Sequence, residues 1–252
     1  MSENLPTIIV PARLASIRFP RKLLQPVAGV PLILITAKRL REIAPEFEII
    51  FAVDGNELES ILSENGFQAI QTDPKHASGT DRIYEANKKL KRSKIINVQA
   101  DEPMVSREHI ISLKEALNRL DSAPIATLAV PFNNKEDFAD KNQVKVVCDQ
   151  NGYALYFSRL PIPGVRENLN FEDIAAIGYT PLKHIGMYAY TREFLEKFAQ
   201  SPVSYLERIE KLEQLRALEI GNKISVSIVQ SATIGIDVPE DLLKLQKQSK
   251  YK

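Results

Sequence analysis

The chain has 252 residues, 44% of them hydrophobic and 26% charged, with a net charge of +1. That length supports a substantial core, and the near-neutral balance excludes the broad basic field of a nucleic-acid-binding domain. The lone cysteine, Cys148, excludes an intrachain disulfide framework and suits a reducing compartment.

TIIVP (7–11) is a β-branched apolar run that predicts a strand buried on both faces. PARLASIRFPRKLL (11–24) overlaps its end and carries Arg13, Arg18, Arg21 and Lys22. Pro11 and Pro20 keep this stretch from being a regular helix. PLILITAKRLREIA (31–44) predicts a helix with Pro31 at its first position. EIIFAVD (48–54) predicts a strand, NELESILSENG (56–66) a helix closed by Gly66, and FQAIQT (67–72) a weaker strand. SGTDRIYEANKKLKR (78–92) predicts a helix entered through a small-residue turn. KIINVQ (94–99) is a further buried strand, followed by the turn ADEP, the helix REHIISLKEALNRL (107–120) and the strand PIATLAVP (124–131).

The pattern then changes. VKVVCD (144–149) and YALYFSR (153–159) flank QNG and predict a hairpin with a type I′-like turn. A loop rich in Pro, Gly and Asn runs to about residue 182, and HIGMYAYT (184–191) is a strand. YLERIEKLEQLRALEIG (205–221) predicts one amphipathic helix stopped by Gly221. ISVSIVQ (224–230) is a strand, GIDVPED (235–241) a turn and LLKLQKQ a last helix.

Strand–helix alternation with short loops predicts an α/β fold with a mostly parallel sheet and helices on both faces. Such sheets bind ligands beyond the carboxyl ends of their strands, where the turns PARLASIR, DPKHASGT and ADEP fall. The four cations within residues 13–22 suit a polyphosphate, through arginine forks and a lysine point charge. Neither G-x-x-x-x-G-K-[ST] nor a strand-following G-x-G-x-x-G is present, which excludes a Walker-type loop and argues against a dinucleotide site. Asp101 with Glu102, and Asp237 in the later turn, could hold Mg²⁺, a hard cation that takes oxygen ligands and bridges to phosphates; a plain acidic turn ended by Pro103 reads equally well.

SGTDR offers free N–H groups and hydroxyls at a helix entry, although an ordinary N-cap accounts for it alone. Glu210, Glu213 and Gln214 read as one solvated helix face, and His184 and Tyr188 share a strand face that suits a hydrogen-bonded core. Cys148 alternates with Val144 and Val146 and reads as core, and the three histidines have no metal-ligand spacing. The basic run KKLKRSK (88–94) is accounted for by a helix C-terminus rather than by nucleic acid. No apolar run reaches the roughly 18 residues of a membrane span. The opening MSENLPTIIVPAR lacks a signal-peptide pattern, so a soluble, cytoplasmic protein is expected.

The stretches IIVPARLASIRFPRKLL, HASGTDR, NVQADEPM, GYALYFSR, HIGMYAY, LERIEKLEQLR and GIDVPEDL span nearly the whole chain in family order. With them the sequence closely resembles the 3-deoxy-D-manno-octulosonate (Kdo) cytidylyltransferases, also called CMP-Kdo synthetases. YALYFSR, HIGMYAY and LEQLR are the most specific to that family, and they disfavour the related sialic acid enzymes. The resemblance implies a Rossmann-like nucleotide-diphosphosugar transferase fold. It implies a single domain, 1–252, in which about 144–204 are inserted strands and loop for a homodimer contact and the sugar site. It also implies the reaction CTP + Kdo → CMP-Kdo + diphosphate, with Mg²⁺, for lipopolysaccharide synthesis.

Carried over by resemblance, Arg13 and Lys22, with Arg18, hold the CTP phosphates. Pro11 and Ala12 lie along the nucleotide, and Ser78, Gly79 and Arg82 lie near the cytosine and ribose. Asp101 and Asp237 bind the metal, and Gln99, Arg159, His184, Tyr188, Glu213 and Gln214 contact the sugar acid. The chain departs from the family pattern at Ala100, where glycine is usual, and at Arg21 and Leu23, where glycine and proline are common. The implied sugar is therefore Kdo or its 8-amino-3,8-dideoxy form. A non-catalytic nucleotide-binding regulator is the reading from another class, and the intact Arg13, Lys22, Asp101 and Asp237 argue against it.

Overall fold

The structure is a computed structural model that describes residues 5–15, 19–119, 123–164, 171–233 and 235–247. In chain order the elements begin with β1 (Thr7–Ala12), a 3-10 turn (Lys22–Leu24), β2 (Pro26–Val27), β3 (Val30–Pro31) and α1 (Leu32–Ile43). They continue with β4 (Ile49–Val53), α2 (Asn56–Glu64), β5 (Gln68–Gln71), α3 (Gly79–Leu90), β6 (Lys94–Asn97), α4 (Arg107–Arg119) and β7 (Ile125–Pro131). Next come α5 (Lys135–Ala139), β8 (Lys145–Cys148), β9 (Ala154–Ser158), α6 (Phe171–Ala176), β10 (Leu182–Thr191) and α7 (Arg192–Gln200). The chain closes with α8 (Tyr205–Glu210), α9 (Gln214–Glu219), β11 (Ile224–Ile228) and α10 (Pro239–Gln246). Two compact units result: Met1–Ile110 with Thr233–Lys252, and Ile111–Ala232.

The first unit is built on a wholly parallel sheet in the order β6-β1-β4-β5. β1, β4 and the Ile95–Ile96 centre of β6 are apolar because both faces are covered: Ile8, Ile9, Val10, Phe51 and Ile96 are fully buried, whereas β5 leaves Gln68 and Gln71 exposed. Each such side chain contributes about 1.5–3 kcal/mol of transfer free energy. Helix α1 buries Leu32, Ile33, Ala37 and Leu40. Pro31 caps α1 with an extended backbone (ψ 139°) and is not its first helical residue. Helix α3 begins as predicted, with Ser78 Oγ accepting the Asp81 N–H at 3.1 Å. Lys88 and Lys89 lie in its last turn, where the helix dipole favours cations.

The second unit carries a mixed sheet. β11 runs parallel to β7, β7 antiparallel to β10, β10 antiparallel to β8, and β8 antiparallel to β9. The β8–β9 hairpin forms as expected but without a type I′ turn. The Gly152 N–H donates to Asp149 O at 3.1 Å, and in this turn only Gly152 has positive φ (+80°). That is a type I turn followed by a glycine bulge, stabilised by Asp149 Oδ1 accepting the Asn151 and Tyr153 N–H groups. Cys148 is only half-buried; burial and the Asp149 carboxylate push its thiol up to about 11, so it stays protonated.

The predicted single helix over 205–221 is two short helices. The chain breaks at Lys211, which is left-handed (φ 55°), and restarts at α9. Inside this broken element Glu207 and Arg216 form a buried bidentate pair, with Nε–Oε2 at 2.7 Å and Nη2–Oε1 at 2.6 Å. Arg216 also stacks over the Phe198 ring of α7 at 4.3 Å. Helices α5, α6 and α7, and the β2–β3 hairpin, are additions to the sequence reading.

Candidate active site

Parallel strands end together, and the turns that leave them meet at one edge. Ala12 of β1 pairs with Val53 of β4, which pairs with Gln71 of β5. A cavity of about 470 Å³ opens at that edge of the first unit. Pro11, Ala12, Arg13 and Ala15 line it from the β1 turn, and Ser78, Gly79 and Arg82 from the start of α3. Gln99, Ala100 and Asp101 line it from the β6 turn, and Lys22, Leu23 and Asp237 complete it. All three turns predicted to carry a ligand thus contribute.

Gly79 is favoured by close approach: a Cβ there would stand a tight 3.2 Å from Pro11 Cγ. Its absence lets the N-terminus of α3 close on the end of β1. Arg82 is 2% exposed, and its Nη1 donates to Thr72 Oγ1 at 2.5 Å. Burial depresses its pKa, Asp54 opposes that, and Arg13 adds to it. Gln99 Nε2 donates to Asn97 Oδ1 at 3.0 Å, which fixes the amide.

The acidic turns converge on one ammonium. Lys22 Nζ is paired with Asp101 Oδ2, donates to Ile236 O at 2.9 Å, and lies 3.4 Å from Asp237 Oδ1. The Ile236 N–H donates to Asp101 O at 3.0 Å, stitching the two turns together. Asp241 Oδ2 accepts the N–H groups of Asp237 and Val238, so α10 anchors the second turn. Glu102 lies behind them: burial, then Asp101, push its carboxyl up to about 7, while Thr233 opposes the shift. Sequence reasoning overlooked Thr233, and no motif marked it.

The four-cation reading of the basic loop is corrected at Arg21. Its guanidinium pairs with Glu57 of α2 and is not among the cavity's lining. Arg18 lies outside the described residues. Arg21 is left-handed (φ 55°), a conformation glycine adopts freely, which explains why glycine suits this position. Ala100 has no positive φ, so an alanine fits there without backbone strain, and its carbonyl accepts the Thr36 hydroxyl at 2.9 Å.

Arg159, His184, Tyr188, Glu213 and Gln214 lie in the second unit. His184 is buried against Phe157, with ring centroids 5.0 Å apart, and against Tyr188 at 5.5 Å. Thr127 Oγ1 lies 2.8 Å from Met187 O and 2.9 Å from His184 Nε2. A carbonyl can only accept, so the hydroxyl proton points to it and His184 Nε2 is the protonated nitrogen. Burial holds the His184 pKa down to about 3, so Nδ1 is a lone-pair acceptor at neutral pH. Tyr188 stays a neutral phenol, raised by burial, then by Tyr190 and Glu213.

Gln214 is buried, and its Nε2 has no hydrogen-bond partner. Arg159 acts as a latch with three of its five side-chain N–H groups: Nε donates to Glu210 O at 2.7 Å, Nη1 to Lys141 O at 3.2 Å and Nη2 to Lys211 O at 3.3 Å. Glu210 in turn accepts from Ser158 Oγ at 2.8 Å and from the Arg159 N–H at 2.9 Å. The expected solvated face of Glu210, Glu213 and Gln214 is therefore not one face, because the break at Lys211 separates them.

The cytidylyltransferase family pattern matches residues 7–224. The 3-deoxy-manno-octulosonate cytidylyltransferase of Wolinella succinogenes is 44% identical over 246 residues, 95% of this chain and 98% of its own. The protein of that name from Nitratiruptor sp. is 44% identical over 243 residues, 94% and 97% of the two chains. A solved CMP:2-keto-3-deoxy-manno-octonic acid synthetase complexed with CTP is similar with a TM-score of 0.87 at 35% identity, covering 96% of this chain and 97% of that one. With this likeness over nearly its whole length, the chain belongs to the 3-deoxy-manno-octulosonate cytidylyltransferase family.

Proposed function

We propose that the chain transfers a cytidylyl group from CTP to the anomeric 2-hydroxyl of 3-deoxy-manno-octulosonate, releasing diphosphate and giving the CMP-sugar for lipopolysaccharide synthesis. The observation that carries this reading is the Lys22 ammonium held between Asp101 and Asp237, in a cavity also lined by Arg13 and the start of α3. Arg13 and Lys22 bind the triphosphate and stabilise the negative charge that grows on the leaving diphosphate, and Arg18 shares that role. Pro11 and Ala12 lie along the nucleotide, and Ser78, Gly79 and Arg82 receive the ribose and base. The sugar hydroxyl attacks the α-phosphorus in line, and no covalent enzyme intermediate is needed.

The residues present fit Mg²⁺. Asp101 and Asp237 are hard oxygen donors that already share one cation, the Lys22 ammonium. Among the described residues no group of three or more His, Cys, Asp or Glu forms a metal cage, so phosphates and water would complete the coordination. Bound there, Mg²⁺ supplies Lewis-acid stabilisation of the phosphoryl oxygens and acidifies the attacking hydroxyl.

Gln99, His184, Tyr188, Glu213 and Gln214 contact the sugar acid. The orphan Gln214 amide and the His184 Nδ1 acceptor support that role, since a polyhydroxylated acid offers partners to both. Arg159 contributes by holding the α8–α9 junction and through its remaining N–H groups. The whole chain works as one nucleotidyltransferase domain. It is a cytoplasmic homodimer through the inserted region and the start of α8 just beyond it, where Tyr205 and Ile209, at i and i+4, stand 81% and 77% exposed. No helix among the described residues is long and apolar enough to cross a membrane.

Diphosphate release with CTP and Mg²⁺, comparing Kdo with 8-amino-3,8-dideoxy-Kdo, tests the reading. Turnover with Kdo supports it, preference for the amino sugar moves the chain to that branch, and no release with either contradicts it.

A further inference from the structure

Asp54 is the first residue beyond β4, and Arg13 the first beyond β1. The register pairs Ala12 with Val53, so the two leave neighbouring parallel strands side by side. Asp54 Oδ2 accepts the Leu14 N–H at 2.9 Å, which fixes the backbone of the loop immediately after Arg13. The same strand edge carries a second tie. Thr72, just past β5, donates its hydroxyl to Val53 O at 2.9 Å and accepts from Arg82 Nη1 at 2.5 Å.

Asp54 also places negative charge beside the two guanidiniums: with Glu85 and Asp73 it favours the charged Arg82, which Arg13 disfavours. Its other oxygen, Oδ1, is buried with no hydrogen-bond partner, as is Arg82 Nη2. A buried orphan acceptor costs about 1–3 kcal/mol, so a carboxylate at this place is not explained by fold stability alone.

We infer that Asp54 is a positioning residue for the nucleotide: through the Leu14 N–H it pins the Arg13 loop in the geometry that receives the CTP phosphates. The inference rests on the proposed phosphate role of Arg13. A negative charge near a polyanion weakens binding by Coulomb repulsion, so electrostatics alone predicts that removing it tightens CTP. Pinning predicts the opposite sign.

The experiment measures steady-state diphosphate release for Asp54→Ala, Asp54→Asn and Arg13→Ala, with CTP and the sugar acid varied separately and the thermal midpoint of each variant recorded. Asp54→Ala is expected to raise the KM for CTP by about fivefold or more while the KM for the sugar acid stays within about twofold. Asp54→Asn keeps an acceptor for the Leu14 N–H and is expected to recover most of that loss, even if the alanine variant proves too unstable to assay.

An unchanged or lowered KM for CTP in Asp54→Ala, or an asparagine variant as impaired as the alanine one, overturns the inference while Arg13→Ala still weakens CTP. If Arg13→Ala leaves the KM for CTP untouched, the phosphate reading fails and the pinning role falls with it.

Discussion

Lys22 is the residue on which the site turns. Its ammonium ties Asp101 and the Ile236 carbonyl to the basic loop and reaches Asp237. Lys22→Ala removes that tie and one phosphate charge, and kcat/KM for CTP is expected to fall by about 10²-fold or more in the diphosphate-release assay. Arg21 is a contrasting neighbour. It holds a left-handed backbone for which a Cβ costs roughly 1–2 kcal/mol, and its ion pair with Glu57 is half-exposed and worth roughly 0–1 kcal/mol. Arg21→Gly is therefore expected to be neutral to stabilising by about 1 kcal/mol in denaturant unfolding. A clear destabilisation would show that the Glu57 contact outweighs the strain.

His184 gives a pH dependence of definite sign. Its folded pKa is depressed to about 3 from 6.5, so between those values the unfolded state binds the extra proton. Stability from this group is present above about pH 6.5 and is lost on acidification toward 3. Between pH 6.5 and 4.5 the loss is about 2–3 kcal/mol, and His184→Asn should remove most of that slope from denaturant midpoints taken across the window. An unchanged slope would mean that His184 is not the group titrating.

At the scale of elements, the break between α8 and α9 is the feature with most consequence. The Glu207–Arg216 pair is buried on both sides, so removing one partner strands a charge. Glu207→Leu or Arg216→Met alone is expected to cost about 3–5 kcal/mol, and the two combined less than the sum of the singles. Additive costs in urea unfolding would refute the coupling.

This break was not legible in the sequence, because residues 205–221 are good helix formers with no Gly or Pro before Gly221. The contacts that stop the helix are long-range: Arg159 takes the carbonyls of Glu210 and Lys211. By contrast, β1, β4 and β6 were legible because a strand buried on both faces reads as an unbroken apolar run. Helix α7 had a usable signal, with Thr191 capping the Phe194 N–H and Phe194, Leu195 and Phe198 on one side.

At the scale of the whole molecule, the candidate site was legible in part. The three strand-end turns follow from the parallel α/β pattern, and the loop cations and acidic turns follow from their place beyond those strands. What composition could not show is the division of labour: Arg21 turns to Glu57, and Lys22 alone of the two enters between the carboxylates. The second-unit groups were invisible to spacing because a buried His and a half-buried Tyr on one strand look like core. The exposed Tyr205 and Ile209 carry the dimer proposal, and Tyr205→Glu combined with Ile209→Glu is expected to halve the mass seen by sedimentation. A parent chain that already sediments at 28.4 kDa would contradict the dimer.

The most direct test of the account is transfer of α-labelled phosphate from CTP to Kdo, read as labelled CMP-sugar against diphosphate released, for the parent chain and for Lys22→Ala. One labelled CMP-sugar per diphosphate is expected in the parent, with no label on the protein and a rate reduced by about 10²-fold in the variant. Label retained on the chain, or no transfer to Kdo by the parent, would contradict it.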